Sequence, residues 1–136
     1  MKPAFPDIRG NHDLRRLLGD DIRSGRLSHA YILEGPRGSG KHMLALRIAA
    51  ALACEKRGED GVPLPCMTCP ACRKIFDGNS PDVIYLNRGE KATFGVEAIR
   101  SLHTDVHIAP NELDTKLYIL EEAHLMTAQA QNAFLL

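Results

Sequence analysis

The segment from residue 35 to residue 42 has the residue types and spacing of a phosphate-binding loop. It fits the pattern G-x-x-x-x-G-K-[ST] except at its last position, where a histidine replaces the expected serine or threonine. Its glycines let consecutive backbone N–H groups point at one anion, and its lysine adds a mobile positive charge. The eight residues are Gly35, Pro36, Arg37, Gly38, Ser39, Gly40, Lys41 and His42.

The histidine bears on metal binding, because the hydroxyl expected at that position coordinates Mg²⁺. Mg²⁺ prefers hard oxygen ligands in octahedral geometry, so the bulkier imidazole of His42 is a poor substitute. The alternative interpretation is a glycine-rich turn with a chance lysine. An apolar strand predicted before the loop and a strong helix predicted after it argue against that alternative.

Two acidic residues end a second apolar run, residues 116–122. Phosphate-loop ATPases need a strand-end carboxylate near Mg²⁺, usually from an aspartate, and Glu121 is one methylene longer. Glu122 stands where a water-polarising general base is expected. The alternative is a strand end with solvated acids. Together with His42, these degenerate metal-binding positions predict weak or absent Mg²⁺-dependent hydrolysis, whereas phosphate binding through the backbone and Lys41 is compatible with the sequence.

Four cysteines lie within 19 residues, at Cys54, Cys66, Cys69 and Cys72. Cys-x-x-Cys spacing lets two sulfurs reach one ion, and four thiolates complete a closed tetrahedral zinc site. A redox pair would leave two thiols unexplained, and an iron–sulfur cluster would make the protein brown. We therefore predict a structural zinc ion that fastens residues 55–73 to the end of the phosphate-loop helix.

The histidines show no comparable pattern. His103 and His107 lie four residues apart on a predicted helix, but no third ligand accompanies them. We interpret both as surface or boundary residues. The same interpretation covers His12, His29 and His124.

Apolar periodicity and turn residues predict alternating helices and strands. This alternation is typical of a parallel α/β sheet with helices on both faces. The last helix is unfinished, so we expect a longer protein. The predicted helices are 11–24, 41 to about 54, 70–78, 96–106 and one starting at 127; the strands are 30–34, 82–87 and 116–122, with a surface excursion at 55–65 and a mobile loop at 88–94.

Composition places the chain among ordinary globular proteins, with 44% apolar and 25% charged residues over 136 positions. Acidic and basic residues balance at 17 each, so no global charge attracts nucleic acid or anionic membrane. No apolar run approaches the roughly 18 residues of a membrane span, and the start has no signal-peptide core. We expect a soluble, cytoplasmic protein without a membrane partner.

Several segments resemble bacterial clamp-loader subunits, the gamma/tau and delta-prime subunits of DNA polymerase III in the AAA+ superfamily. Residues 28–41 are similar to the family segment HAYLFxGPxGxGK, and the cysteine cluster is similar to the family's zinc module. Residues 81–83 and 95–102 resemble PD(V/L) and GVxxIRxL, and residues 116–136 resemble KVYIIxxAxxMTxxAxNALL. The resemblance runs from about Phe5 to Leu136.

The resemblance implies that residues 1–136 form the N-terminal part of an AAA+ P-loop domain. The zinc module is inserted at about 54–73, and the rest of the domain, the lid and the collar are absent. The family strand order is 5-1-4-3-2, and this chain supplies the first three strands. We expect the strands at 30–34 and 116–122 to approach each other directly, or another chain to fill the gap between them, including a second copy.

The two subunit types differ at the unusual positions of this sequence. Gamma/tau keeps Gly-Lys-Thr and an Asp-Glu strand end, whereas delta-prime commonly has degraded ATP motifs. His42 and Glu121 therefore favour delta-prime, while Glu122 and His124 are similar to gamma/tau. The delta-prime Ser-Arg-Cys motif would lie beyond Leu136.

The resemblance implies that the protein takes part in loading the sliding clamp onto primed DNA. The implied partners are the gamma/tau and delta subunits, the clamp and the DNA. Whether the protein binds ATP or ADP is left open. One alternative is an active gamma/tau-type ATPase. Another is a zinc-dependent nucleic-acid module, which the balanced charge disfavours.

Overall fold

A computed structural model describes residues 5, 10, 12–26, 30–34, 40–57, 63–86, 95–113 and 115–134. These residues belong to two compact units, Met1–Ser80 and Pro81–Leu136. The first unit contains the cysteines and the second contains the acidic strand end. None of the described helices is long and apolar enough to cross a membrane.

The first unit contains three described helices, α1 (His12–Ser24), α2 (Lys41–Ala53) and α3 (Pro70–Phe76). Helix α2 is rich in alanine, which has the highest helix propensity, and it buries its stretch 49–51. Helix α3 has proline at its first position, where the missing N–H costs nothing. All three helices were predicted from the sequence, with ends that differ by one or two residues.

Helices α2 and α3 pack against each other. The guanidinium of Arg47 on α2 lies 4.9 Å from the centroid of the Phe76 ring on α3, a cation–π contact. On the α3 side, Ile75 is buried. This packing brings the C-terminal end of α2 and the start of α3, both of which carry cysteines, into one small core.

The strand predicted at 30–34 is wrong. Residues 30–34 form no strand in the described part of the chain, and Ile32 is 89% exposed. A strand requires a neighbour that pairs its backbone groups and covers its apolar side chains, and the local apolar pattern cannot supply one. We expected a strand at 30–34 to lie directly beside the strand at 116–122, and the first of these two strands does not form. The other expectation, that another chain fills the gap between these two segments, stays a prediction.

The second unit contains a small parallel sheet, as predicted. Strands β1 (Val83–Leu86) and β2 (Leu117–Leu120) pair in parallel, with Val83 opposite Leu117 and Leu86 opposite Leu120. The helix α4 (Val96–Asp105) lies between them in the chain. A 3-10 turn (Ala123–Leu125) and the helix α5 (Ala128–Phe134) follow β2.

Helices α4 and α5 enclose the apolar core of the second unit. Ile99 on α4 and Ala130 on α5 are fully buried, and Leu86 and Leu120 of the two strands pack against them. Two hydrogen bonds fix α5. The Oγ1 of Thr127 accepts the Ala130 N–H at 3.1 Å, which confirms the predicted helix cap. The ring Nε2 of His103 donates to the Ala133 carbonyl oxygen at 2.5 Å, so this histidine has a structural role.

Asp82 fixes the connection that leads into β2. Its side chain is buried, with 1% exposure. Its Oδ1 accepts the Asn111 N–H at 2.6 Å, and its Oδ2 accepts the Glu112 and Leu113 N–H groups, each at 2.7 Å. Its carbonyl oxygen accepts the Leu117 N–H at 2.8 Å. One residue therefore holds both the approach to β2 and the register of the two strands.

A second network joins the end of α4 to β2. The Lys116 ammonium donates to the Asp105 carbonyl oxygen at 2.8 Å and to its Oδ2 at 3.2 Å. The Tyr118 hydroxyl donates to the same Oδ2 at 2.5 Å. Burial together with the Asp105 carboxylate raises the pKa of Tyr118 to about 12, so the phenol stays a donor. The hydrogen bond from Tyr118 in turn lowers the pKa of Asp105.

We expect Asp82→Ala to lower the free energy of unfolding by about 3 kcal/mol, because three backbone N–H groups lose the charged acceptor to which they are bonded. Urea denaturation of the full-length protein measures this loss. The matched control is Glu97→Ala, which removes an exposed carboxylate 3.7 Å from Arg100. A surface pair of this kind contributes at most about 1 kcal/mol. Equal losses for the two variants would contradict the role given to Asp82.

The Asp82 contribution should also depend on pH. Burial raises the pKa of Asp82, but the three backbone N–H donors outweigh it and lower the pKa below its ordinary value of 3.8. The stabilisation is therefore complete above pH 3.8 and is lost as the pH falls through the lower folded-state pKa. Relative to wild type, Asp82→Asn should be less stable at pH 7, and the difference should shrink below pH 3.8. A constant difference would mean that the carboxylate charge contributes nothing.

Candidate metal centre and phosphate-loop residues

The structure brings the four predicted cysteines together. Their sulfur atoms all lie within 4.8 Å of one another, and the Sγ atoms of Cys66 and Cys72 are 4.0 Å apart. Metal–sulfur distances of about 2.3 Å in a tetrahedral site place sulfurs about 3.8 Å apart. The cluster is therefore close to the size that one tetrahedral ion requires. All four side chains are buried, with exposures of 7% or less.

Two helices and one tight turn position these sulfurs. Cys54 ends α2, and Cys72 lies in the first turn of α3. Between them, residues 66–69 form a turn that we call the knuckle. Met67 has a left-handed backbone (φ +68°), which turns the following N–H groups back toward Cys66. Cys69 then caps α3, because its sulfur accepts the Cys72 N–H at 3.5 Å.

Cys66 receives the richest set of donors. The N–H groups of Thr68 and Cys69 lie 3.4 Å and 3.3 Å from its sulfur, and the Thr68 hydroxyl lies 3.6 Å from it. Burial alone would raise the pKa of Cys66, but these donors lower it to about 6. The thiolate form, which is the form that binds metal, is favoured at this position.

Cys54 and Cys72 have the opposite character. Burial raises the pKa of each thiol, although backbone N–H groups near both sulfurs act against that rise. The protonated Cys72 thiol donates to the Ala50 carbonyl oxygen of α2 at 3.7 Å. Metal binding must displace the protons of such buried thiols, so metal affinity should fall as the pH falls.

This geometry favours a metal over a redox pair. All four cysteines are free thiols, and the cluster includes every cysteine of the chain, so a two-cysteine redox function would leave two buried thiols without a role. A closed set of four sulfurs leaves no open position for a substrate, which is typical of structural zinc. The cluster is compatible with that ion.

Most of the predicted phosphate loop, residues 35–39, lies outside the described residues. The described end of the loop begins α2. Gly40 adopts a left-handed conformation (φ +91°) that suits glycine, and its carbonyl oxygen accepts the Leu44 N–H at 2.9 Å. Lys41 is half-buried and His42 is exposed, both in the first turn of the helix. A helix N-terminus favours anions, in keeping with the predicted function of this segment.

The two acids predicted as metal and base residues follow β2 in the second unit. Glu121 is half-buried, and its N–H donates to the Leu86 carbonyl oxygen at 2.9 Å. Glu122 is exposed and adopts a left-handed conformation (φ +55°), which costs roughly 1–2 kcal/mol for a residue with a side chain. Its carbonyl oxygen accepts the Leu125 N–H and thereby opens the 3-10 turn. The roles assigned to both acids stay predictions.

Sequence reasoning missed two residues that the structure makes prominent, Asp82 and Thr68. Both act by hydrogen bonding rather than by a recognised spacing. The sequence signals for Asp82 are its position between Pro81 and an apolar strand and the resemblance of residues 81–83 to the segment PD(V/L), neither of which shows what its carboxylate binds. No signal in the sequence distinguishes Thr68 from an ordinary surface threonine.

The chain matches known proteins over nearly its whole length. A family model described as "DNA polymerase III, delta subunit" matches residues 10–136. The tau subunit of DNA polymerase III from Bacillus subtilis is 35% identical over 131 residues, which is 96% of this chain and 22% of that protein. The delta-prime subunit from the same organism is 36% identical over 120 residues, 88% of this chain and 35% of that protein.

A third relative is the tau subunit of Escherichia coli. It is 33% identical over 133 residues, which is 97% of this chain and 20% of that protein. The chain thus spans between 20% and 35% of the length of these three relatives.

Proposed function

Because the chain belongs to the family of DNA polymerase III clamp-loader subunits, we propose that it takes part in loading the sliding clamp onto primed DNA. Its partners in this role are the other clamp-loader subunits, gamma/tau and delta, and through them the clamp and the DNA. This work belongs to replication in the cytoplasm. The match to the family over residues 10–136 supports the proposal.

We further propose that the chain is of the delta-prime type and does not hydrolyse ATP. Sequence identity cannot separate the two types, since it is 35% to a tau subunit and 36% to a delta-prime subunit. The observation that carries the proposal is the joint substitution at two positions expected to serve one Mg²⁺ ion. His42 offers nitrogen where an oxygen ligand is required, and Glu121 replaces the usual aspartate.

The alternative is an active gamma/tau-type ATPase. Two residues favour this alternative. Lys41 supplies a positive charge for the phosphates, and Glu122 supplies a carboxylate at the general-base position. A glutamate can also bind Mg²⁺ in principle, since its oxygens are hard ligands. His42 remains the stronger argument against this alternative, as imidazole cannot replace a hydroxyl ligand of Mg²⁺.

We also propose that the cysteine cluster holds a structural zinc ion. Four buried sulfurs within 4.8 Å support it, as does their placement at the end of α2 and the start of α3. Cys54, Cys66, Cys69 and Cys72 would be the ligands. The ion would supply no reaction chemistry. It would join the segment that follows α2 to the helix itself, and thus hold the first unit together.

An ATPase assay of the full-length protein tests the type of subunit. With Mg²⁺ and ATP, wild type should release no more phosphate than Lys41→Ala, because the metal-binding positions are degenerate. Binding of a fluorescent ATP analogue, measured on the same samples, shows separately whether the loop holds nucleotide. Mg²⁺-dependent hydrolysis that Lys41→Ala abolishes would assign the chain to the gamma/tau type instead.

A reconstitution experiment tests membership of the assembly. Clamp loading onto primed DNA should be lost when this subunit is omitted from a mixture of the other subunits, and it should return when the wild-type protein or Lys41→Ala is added. Recovery with Lys41→Ala is the expected result for a subunit that does not act through its own hydrolysis. Full loading without the subunit would contradict the proposed role.

Metal removal tests the zinc ion. Purified protein should contain about one zinc per chain, and chelation should lower the melting temperature by several degrees, since metal binding is coupled to folding. Cys72→Ser should lose the metal and melt early even without chelator. Unchanged melting after verified metal loss would contradict a structural role, and a brown protein would indicate an iron–sulfur cluster.

A further inference from the structure

The Thr68 side chain lies beside the metal cluster without being one of its ligands. Its hydroxyl is 3.6 Å from the Cys66 sulfur and its own N–H is 3.4 Å from the same atom. The hydroxyl of Thr68 thus places a side-chain donor against a sulfur of the cluster. Thr68 itself is exposed, whereas the sulfur that it contacts is buried.

Charge explains why such a donor matters. A divalent ion with four thiolates carries a net charge of −2, and the sulfurs are buried, so the surroundings must compensate that charge. Backbone N–H groups compensate part of this negative charge. The N–H of Cys69 points at Cys66 at 3.3 Å, and the N–H of Cys72 points at Cys69 at 3.5 Å. The Thr68 hydroxyl adds a side-chain donor to one sulfur.

The donor also orients its ligand. Cys66 has a position fixed by the left-handed turn at Met67, and the hydroxyl and two N–H groups converge on its sulfur from the following residues. Groups that hydrogen-bond a metal ligand hold it in the geometry that the ion needs, and their loss typically lowers metal affinity by 10- to 100-fold. A substitution such as Thr68→Val keeps the backbone donors and removes the hydroxyl.

We propose that Thr68 is a positioning residue of the metal centre, whose hydroxyl donates to the metal-bound Cys66 sulfur and raises the affinity for zinc. This inference rests on the proposed zinc ion. Thr68 lies in the knuckle and is not one of the four ligands, so a residue other than the ligands would also determine the affinity for the metal.

The test uses the full-length protein and three substitutions. Thr68→Val removes the hydroxyl but keeps the branched shape and the backbone N–H, whereas Thr68→Ser keeps the donor. Thr104→Val is the matched control, because the Thr104 hydroxyl donates to the Arg100 carbonyl oxygen at 3.2 Å on an exposed helix face. Zinc affinity is measured by competition with a chromophoric chelator, and melting of the zinc-loaded proteins shows that each variant is folded.

We expect Thr68→Val to bind zinc about 10-fold more weakly, and Thr68→Ser and Thr104→Val to bind like wild type. Cobalt substitution gives a second readout. The sulfur-to-cobalt charge-transfer band should move to longer wavelength in Thr68→Val, because a thiolate that loses a hydrogen bond holds its electrons less tightly. A substitution that only loosened the fold would not shift this band in a folded, cobalt-loaded protein.

The outcomes separate this inference from the zinc proposal. If wild type binds no zinc, the metal centre itself is wrong. If wild type binds zinc and Thr68→Val matches it in both affinity and band position, the role of Thr68 is wrong and the metal centre stands. If Thr68→Ser is weakened as much as Thr68→Val, with no shift of the band, the hydroxyl is not the cause and the inference is overturned.

Discussion

Burial of four sulfur atoms in one small space is the constraint on which the first unit depends. Thiolates that lie about 4 Å apart repel one another, and burial opposes their ionisation. A metal cation removes both costs at once. The two helices that carry three of these cysteines bury few large apolar side chains, since α2 buries only alanines and α3 buries Ile75 beside Cys72. A unit of this size commonly needs a metal or a disulfide in addition to its core.

In the second unit, hydrogen bonds stabilise the small parallel sheet. Two parallel strands are a minimal sheet and are marginally stable without further support. Asp82 and Asp105 stabilise this sheet, because each carboxylate accepts hydrogen bonds from the segment that leads into β2 or from β2 itself. The core of Ile99 and Ala130 packs against Leu86 and Leu120, the last residues of the two strands. The position of Glu121, at the end of β2, therefore depends on contacts made by the segment before β2 and by the strand itself.

The features that were predicted correctly from the sequence are those determined by residues close together in the chain. Helix α2 follows from alanine propensity, α3 from Pro70, and the cap of α5 from Thr127. The cysteine cluster was predictable because Cys-x-x-Cys spacing restricts the geometry directly. The strand at 30–34 was not, since a strand depends on a partner remote in the chain. Asp82 was missed for the same reason: its acceptors bind N–H groups about 30 residues away.

The cysteine cluster also makes the stability of the first unit less dependent on the length of the segment between Cys54 and Cys66. Cys54 and Cys66 contribute to the same group of sulfurs, so the ends of the segment 55–65 meet whatever its length. Extending a closed loop costs little chain entropy, about 0.6 kcal/mol for each doubling of its length. The exposed start of this segment, residues 55–57, is therefore a natural place for insertions, whether of a few residues in a related protein or of a short peptide tag, whereas its end is not, because Leu64 and Pro65 are buried. The same insertion inside the knuckle would separate the paired ligands and destroy the cluster.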